Sequence, residues 1–312
     1  MMGRRGFLAL GAAAATLGLM VFATRGRSVP VPPPLTRPEG PLKVFHLGHS
    51  LVGPDMPHML AQLAPAGHGY NSQLGSGTPL RAHWEPEEEI LDFGIANQPP
   101  AFRDAKEAVG SGEYDAVVLT EMVELRDAVR YFGSAEYLGK WAGLARSAST
   151  AARIYLYETW HWIDDPDGWL NRVDADLEDL WVGKVLAPHS RRDPDSPVYL
   201  IPGGQAMAAV ARAGARGEIE GVTKPAHLFG RAPDGSQDPI HFNDLGAYVV
   251  ALTHYAVLYQ RPPLGLPHQL TRTDGSPAEA FSAEAAAAVQ RIVWHVVRAL
   301  PRTGLPAAGE TG

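Results

Sequence analysis

From residue 42 onward, short apolar runs alternate with longer stretches in which apolar positions recur at three- and four-residue spacing. Runs at 42–47, 116–120, 153–157 and 198–201 predict strands. The second is apolar until Thr120, as a strand covered on both faces must be. Helices are predicted over 54–63, through Met56, Met59, Leu60 and Leu63, and over 137–151, 169–186, 244–260 and 282–300. Asn243 or Asp244 is the N-cap of the helix over 244–260. Gly48 ends the first strand in a tight turn, and Pro202-Gly203-Gly204 closes the last. Strands separated by helices imply an α/β domain over 42–300, with a parallel sheet of about five strands and no internal repeat. In such sheets ligands bind beyond the carboxyl ends of the strands. That directs attention to His49 and Ser50, Thr120 and Glu121, residues 158–161 and residues 203–205.

Composition narrows the partners. The chain has 312 residues, 45% hydrophobic and 20% charged, enough for a sizeable core and unlike collagen, coiled coils or disordered chains. A net charge of -7 gives nucleic-acid binding no electrostatic support. The absence of cysteine excludes disulfide scaffolds, thiol nucleophiles, zinc–thiolate sites and iron–sulfur clusters. A small neutral or anionic molecule, or a polysaccharide, stays open.

The two ends read differently from the body. Arg4 and Arg5, then Phe7 and Leu8, open an apolar run over 9–23 that is shorter than the ~20 residues of a comfortable membrane span. The run ends in a small-residue cleavage site at Val21-Phe22-Ala23. Residues 1–23 thus resemble a twin-arginine export signal. This implies a periplasmic or secreted protein that meets the membrane transiently during export, or lastingly if the segment stays as an uncleaved anchor. Residues 24–41, with Pro30, Pro32, Pro33, Pro34, Pro38 and Pro41, predict an extended polyproline-like linker outside any core. Residues 301–312 are expected to form a flexible tail.

Two segments carry the chemistry. In Phe45-His46-Leu47-Gly48-His49-Ser50-Leu51 a serine follows an apolar strand and a glycine turn, near the start of the next helix. Backbone N–H groups there can stabilise an oxyanion. In Asp238-Pro239-Ile240-His241, Pro239 keeps Asp238 out of a helix, and the helix starts only after His241. An Asp three residues before a His in a turn can accept the imidazole N–H and leave the other ring nitrogen free as a base.

Together these residues resemble the SGNH (GDSL-type) serine hydrolases, in the family's order, over residues 42–259. Ser50 matches the nucleophile block and Asp238 with His241 the terminal block. Gly75-Ser76-Gly77-Thr78 matches the block whose glycine N–H joins the oxyanion hole, Gly77 better than Gly75. The resemblance implies a flavodoxin-like three-layer α/β/α sandwich, no cofactor, and ester hydrolysis through an acyl-Ser50 intermediate; export outside the cytoplasm favours an O-acetylated carbohydrate or another small ester as substrate. An O-acyltransferase and a degenerate glycan-binding protein are the alternatives.

Two departures from the family pattern stand out. His49 occupies the position of the usual Asp, and the asparagine block is absent: the third strand continues Thr120-Glu121-Met122-Val123-Glu124. An ionised Glu121 cannot donate to an oxyanion and would repel one unless turned away or protonated. Thr120, or a donor from Glu158-Thr159-Trp160-His161, is the candidate substitute, with Glu158 and His161 as further site residues. Trp84, Trp160 and Trp162 are either a platform for a sugar ring or ordinary packing. His46, His49, His58 and His68 show no metal-ligand rhythm, and Asp164-Asp165-Pro166-Asp167-Gly168 lacks the EF-hand spacing, so no metal is expected.

Overall fold

Five parallel strands, β1 (Lys43–His49), β2 (Gly69–Gly75), β3 (Ala116–Thr120), β4 (Arg153–Glu158) and β5 (Val198–Pro202), form one sheet in the order β2-β1-β3-β4-β5. The structure is a computed structural model and describes residues 29–306. The predicted export signal over 1–23 lies outside the described residues, as do residues 24–28 and 307–312. Among the described residues no helix is long and apolar enough to cross a membrane.

The period-two alternation of the strands splits the core into two layers. Val44, Val118, Tyr157 and Ile201 face one core, which also holds residues from helices Asp55–Leu63, Gly203–Ala215, Asp244–Tyr259 and Ala283–Ala299. Phe45, Leu47, Val117, Leu119, Leu156 and Leu200 face the other, filled by helices Ala105–Gly110 and Ser134–Ala148 and by the segment Leu177–Leu186. The fold is therefore a three-layer α/β/α sandwich. Its strand order is the flavodoxin-like one, whose switch point lies between β1 and β3.

All four strands read from apolar runs are present. The fifth, β2, carries no apolar run: its sequence GYNSQLG is polar and begins and ends in glycine. It forms because its polar side chains have partners: Asn71 donates to the Ala101 carbonyl, and Gln73 accepts the Ala105 N–H. The turn expected at Pro202-Gly203-Gly204 is instead the start of helix Gly203–Ala215. There the glycines serve close approach, since a Cβ on Gly203 would strike the Tyr157 ring and one on Gly204 the Glu158 carboxyl. The helix expected over 169–186 continues to Arg192 and passes through a π-helical stretch at Leu177–Leu186.

Residues 29–41 do not form a free linker, and 301–306 do not form a free tail. Arg302 donates to the Val29 and Pro30 carbonyls, Tyr199 to the Pro33 carbonyl, and Leu35 N–H to the Gly304 carbonyl. Prolines have no N–H to pair along their own segment, so their carbonyls are free for donors from the body. Leu200 N–H in turn bonds the Arg302 carbonyl, which covers the β5 edge. At the opposite edge, Ser72 of β2 exchanges backbone bonds with Ala101 and Arg103. Both outer strands are thus shielded.

Candidate active site

Ser50 is the first residue after β1, at the switch point of the sheet. It and Leu51 form the corner of a turn closed by Val52 N–H on the His49 carbonyl, 2.9 Å. Leu51 N–H points at His49 Nδ1, 3.3 Å, so Nδ1 accepts and Nε2 carries the proton, which it donates to the Glu121 carbonyl at 2.9 Å. Tyr157 holds the Leu51 carbonyl at 3.2 Å. One layer deeper, His83 Nε2 donates to the Gly48 carbonyl at 2.8 Å while Gln73 approaches its Nδ1 at 3.0 Å. Burial lowers both imidazoles to about 4, against the pull of the carbonyls they bond, so both are neutral near pH 7. His49, where an Asp was expected from the resemblance, is thus an uncharged brace of the turn.

His241 arrives from a segment distant in sequence, whose neighbours Ile240 and Phe242 pack on the same core as Leu51 and Val52. It lies on β7 (Gln237–Phe242), paired antiparallel with β6 (Phe229–Arg231), so the expected turn is a short irregular strand. The following helix begins at Asp244 with Asn243 as its N-cap, as expected. Asp238 Oδ1 accepts the N–H groups of Ile240 and His241, at 2.9 and 2.8 Å, which bends the strand locally. Its Oδ2 accepts from His241 Nδ1 at 2.9 Å, and Nε2 then meets Ser50 Oγ at 2.9 Å. Partial burial pushes the Asp238 carboxyl up, but the two N–H donors and the imidazole outweigh it and hold the group below its usual range. A carboxylate that fixes the tautomer, and a ring nitrogen within reach of a hydroxyl, can take up and return the hydroxyl proton.

Two contacts not foreseen from the sequence support this strand. Trp160 donates to the Ile240 carbonyl at 2.9 Å, and Ile163 N–H to the Pro239 carbonyl at 2.8 Å. Trp160 is fully buried and packs edge-on against Phe242 and Phe229. It is therefore neither exposed nor part of a sugar platform. Trp84 packs against Trp141, and none of Trp84, Trp160 and Trp162 lines the cleft beside Ser50. The clue to Trp160 was its place just past the end of β4, where loops of such sheets approach the site.

The remaining expected site residues divide. Gly75 lines the cleft together with Ser50 and Ser76, and a Cβ on it would strike Ile90 and Thr78. Gly77 follows with φ +55°, a conformation that favours glycine. Thr120, Glu121, Glu158 and His161 are all buried, and none lines the cleft. Thr120 packs under Gly48. Glu121 accepts the N–H groups of Leu80 and Met122, at 3.2 and 2.8 Å, and so ties the end of β3 to the loop beyond Gly77. Burial pushes its carboxyl up to about 7, against those N–H bonds. Glu158 accepts Gln205 N–H at 3.1 Å at the start of helix Gly203–Ala215, and burial raises it to about 8. His161 bonds Asp176 at 2.8 Å inside a buried cluster with Arg172, which also binds Glu124 and Asp165. These four side chains order the strand ends from beneath rather than facing a ligand. Among the described residues no group of three or more His, Asp or Glu is arranged to hold a metal ion.

No family model matches the chain. No curated protein matches it either. Among solved structures, the fold is similar to that of a DUF4886 family protein from Bacteroides uniformis, at 14% identity and a TM-score of 0.50, over 82% of this chain and 94% of that one. A candidate GDSL-like lipase from Parabacteroides merdae matches at 12% identity and a TM-score of 0.41, over 75% of this chain and 99% of the other. A carbohydrate esterase family 2 enzyme with its carbohydrate binding domain, from Myceliophthora fergusii, matches at 10% and 0.31, over 54% and 58%. At 14% identity the first likeness is one of fold.

Proposed function

We propose that the protein is a serine esterase of SGNH type, with Ser50 as nucleophile, His241 as general base and Asp238 orienting it. One observation carries the reading: the continuous relay Asp238–His241–Ser50, with both side-chain links at 2.9 Å, at the switch point of the sheet. His241 Nε2 takes the Ser50 proton as Oγ attacks the ester carbonyl. The carbonyl oxygen becomes an oxyanion, for which the backbone N–H groups of Ser50 and Gly77 are the proposed donors. The intermediate collapses, the ester C–O bond breaks, and His241 gives its proton to the leaving alcohol. Water then repeats the sequence on the acyl-Ser50, releasing the acid and restoring the serine. Glu121 no longer argues against this reading, because its carboxyl is turned into the core. Export by the twin-arginine-like segment, to the periplasm or outside, remains part of the proposal.

The test is labelling of the purified protein with a fluorophosphonate, read by peptide mass spectrometry. Modification is expected at Ser50, with at least a hundredfold slower labelling in His241→Ala and none in Ser50→Ala. Folded protein that is not labelled at Ser50 overturns the proposal.

A further inference from the structure

The cleft beside Ser50 is much larger than a small acyl group requires. It encloses about 780 Å3. At roughly 30 Å3 per heavy atom, taking a water's share of liquid volume, an acetyl group fills only about a tenth of it. Its walls are mostly apolar, with Pro54, Pro57, Tyr70, Leu74, Ile95 and Pro99 among them, and carry polar groups at His58, Ser72, Ser76, Gln98 and Thr273. Among the described residues that line it there is no Asp, Glu, Lys or Arg. His68, also in the wall, is bonded to the Tyr259 hydroxyl at 2.7 Å and kept neutral by burial. Exposed apolar surface continues at the mouth: Ile95 is 80% exposed, and Leu91 and Phe93 precede it. A sugar ring needs partners for hydroxyls all round it, which the apolar stretches of these walls do not give, whereas an alkyl chain needs none.

Position decides which half of an ester enters. Ser50 lines the cleft, but His241 and Asp238 do not. The leaving alcohol must sit beside His241 Nε2 to receive its proton, so the alcohol lies outside the cleft and the acyl half points into it. We propose that the cleft is an acyl-chain channel and that the protein prefers esters of extended, uncharged aliphatic acids over acetyl esters. The proposal rests on the esterase reading above.

The full chain is assayed with p-nitrophenyl acetate, butyrate and octanoate. Each methylene moved fully out of water is worth up to about fourfold, so kcat/KM is expected to rise at least tenfold from acetate to octanoate. Ile95→Asp sets a carboxylate at the mouth, at a position solvent already reaches, so the fold tolerates it. It is expected to cut the octanoate-to-acetate ratio at least threefold. A flat or falling series whose turnover Ser50→Ala abolishes overturns the channel and leaves the esterase standing. A rising series that Ile95→Asp does not alter also overturns the channel. Absence of turnover on all three esters, or turnover that survives Ser50→Ala, overturns both.

Discussion

At Gly48 a missing side chain sets the height of the nucleophile turn. A Cβ there would lie 2.6 Å from Thr120 Cβ, with Val52 at 3.2 Å on another side. All three residues are buried, so neither neighbour can swing into solvent. Gly48→Ala must therefore push β1 from β3, at an overpacking cost of about 1–3 kcal/mol. We expect a fall in Tm of several degrees by calorimetry, and loss of fluorophosphonate labelling in protein that is still folded, because Ser50 lies two residues on. Several residues of the site were legible in the sequence because their signals are local: a serine after a strand and glycine turn, and an Asp three residues before a His. The link between Ser50 and His241, 191 positions apart, was legible only through the family's order of blocks. The fates of Glu121, Glu158 and His161 were not legible. Their partners, the N–H groups of Leu80 and Gln205 and the Asp176 carboxylate, come from segments that only the fold brings near.

Among the elements, β7 depends most on its neighbours. It is part of a two-stranded ribbon whose pairing is interrupted, a unit that is marginal on its own. The segment after β4 supplies what is missing, through Trp160 on Ile240 and Ile163 on Pro239. Trp160→Phe keeps an aromatic ring but leaves the Ile240 carbonyl without its donor, beside the histidine. The lost bond costs about 1–3 kcal/mol if the carbonyl stays dry. The expected result is a several-fold drop in kcat with KM little changed and a Tm lower by a few degrees, measured by steady-state kinetics and calorimetry. Apolar spacing and apolar runs revealed five helices and four strands because those segments bury one face or both, whereas the short helices Leu80–Trp84, Ala105–Gly110 and Leu125–Tyr131 are too brief to show a period. These signals did not reveal β2, whose stability comes from side-chain hydrogen bonds rather than apolar burial. Nor did they reveal helix Gly203–Ala215, whose two leading glycines look like a turn until the packing against β4 is seen.

For the whole molecule, buried ionisable groups set a pH window for stability. Burial lowers His49, His68, His83 and His254 to about 4 from an ordinary 6.5, and lowers His46 well below that ordinary value. Below 6.5 the unfolded chain binds protons that the folded one refuses, so stability falls as pH drops from 6.5 towards 4. Glu121 and Glu158 act in the opposite sense: raised to about 7 and about 8 from 4.5, they keep protons that the unfolded chain gives up, and this stability is lost as pH rises through 7 and 8. Between 4.5 and 6.5 the five histidines outweigh the two carboxyls. Chemical denaturation across pH 4–9 should therefore show a maximum near pH 6–7, with slopes on the order of 1.4 kcal/mol per pH unit for each group titrating. Glu158→Gln should flatten the alkaline limb and, by removing one opposing group, steepen the acid limb between pH 4.5 and 6.5.

The covered edges of the sheet bear on a different property, behaviour in a crowd. An open α/β sheet normally ends in two strands that offer unpaired backbone groups to any passing chain. Here each edge has some of those groups taken: residues around Ala101–Arg103 pair with Ser72 on one side, and Arg302, itself lashed to the proline-rich segment, accepts from Leu200 on the other. The proline-rich segment and residues 301–306, which look most dispensable, thus cover part of an edge at which copies of the sheet could otherwise pair. Truncating either segment is therefore expected to raise the tendency to associate on concentration, measured by light scattering.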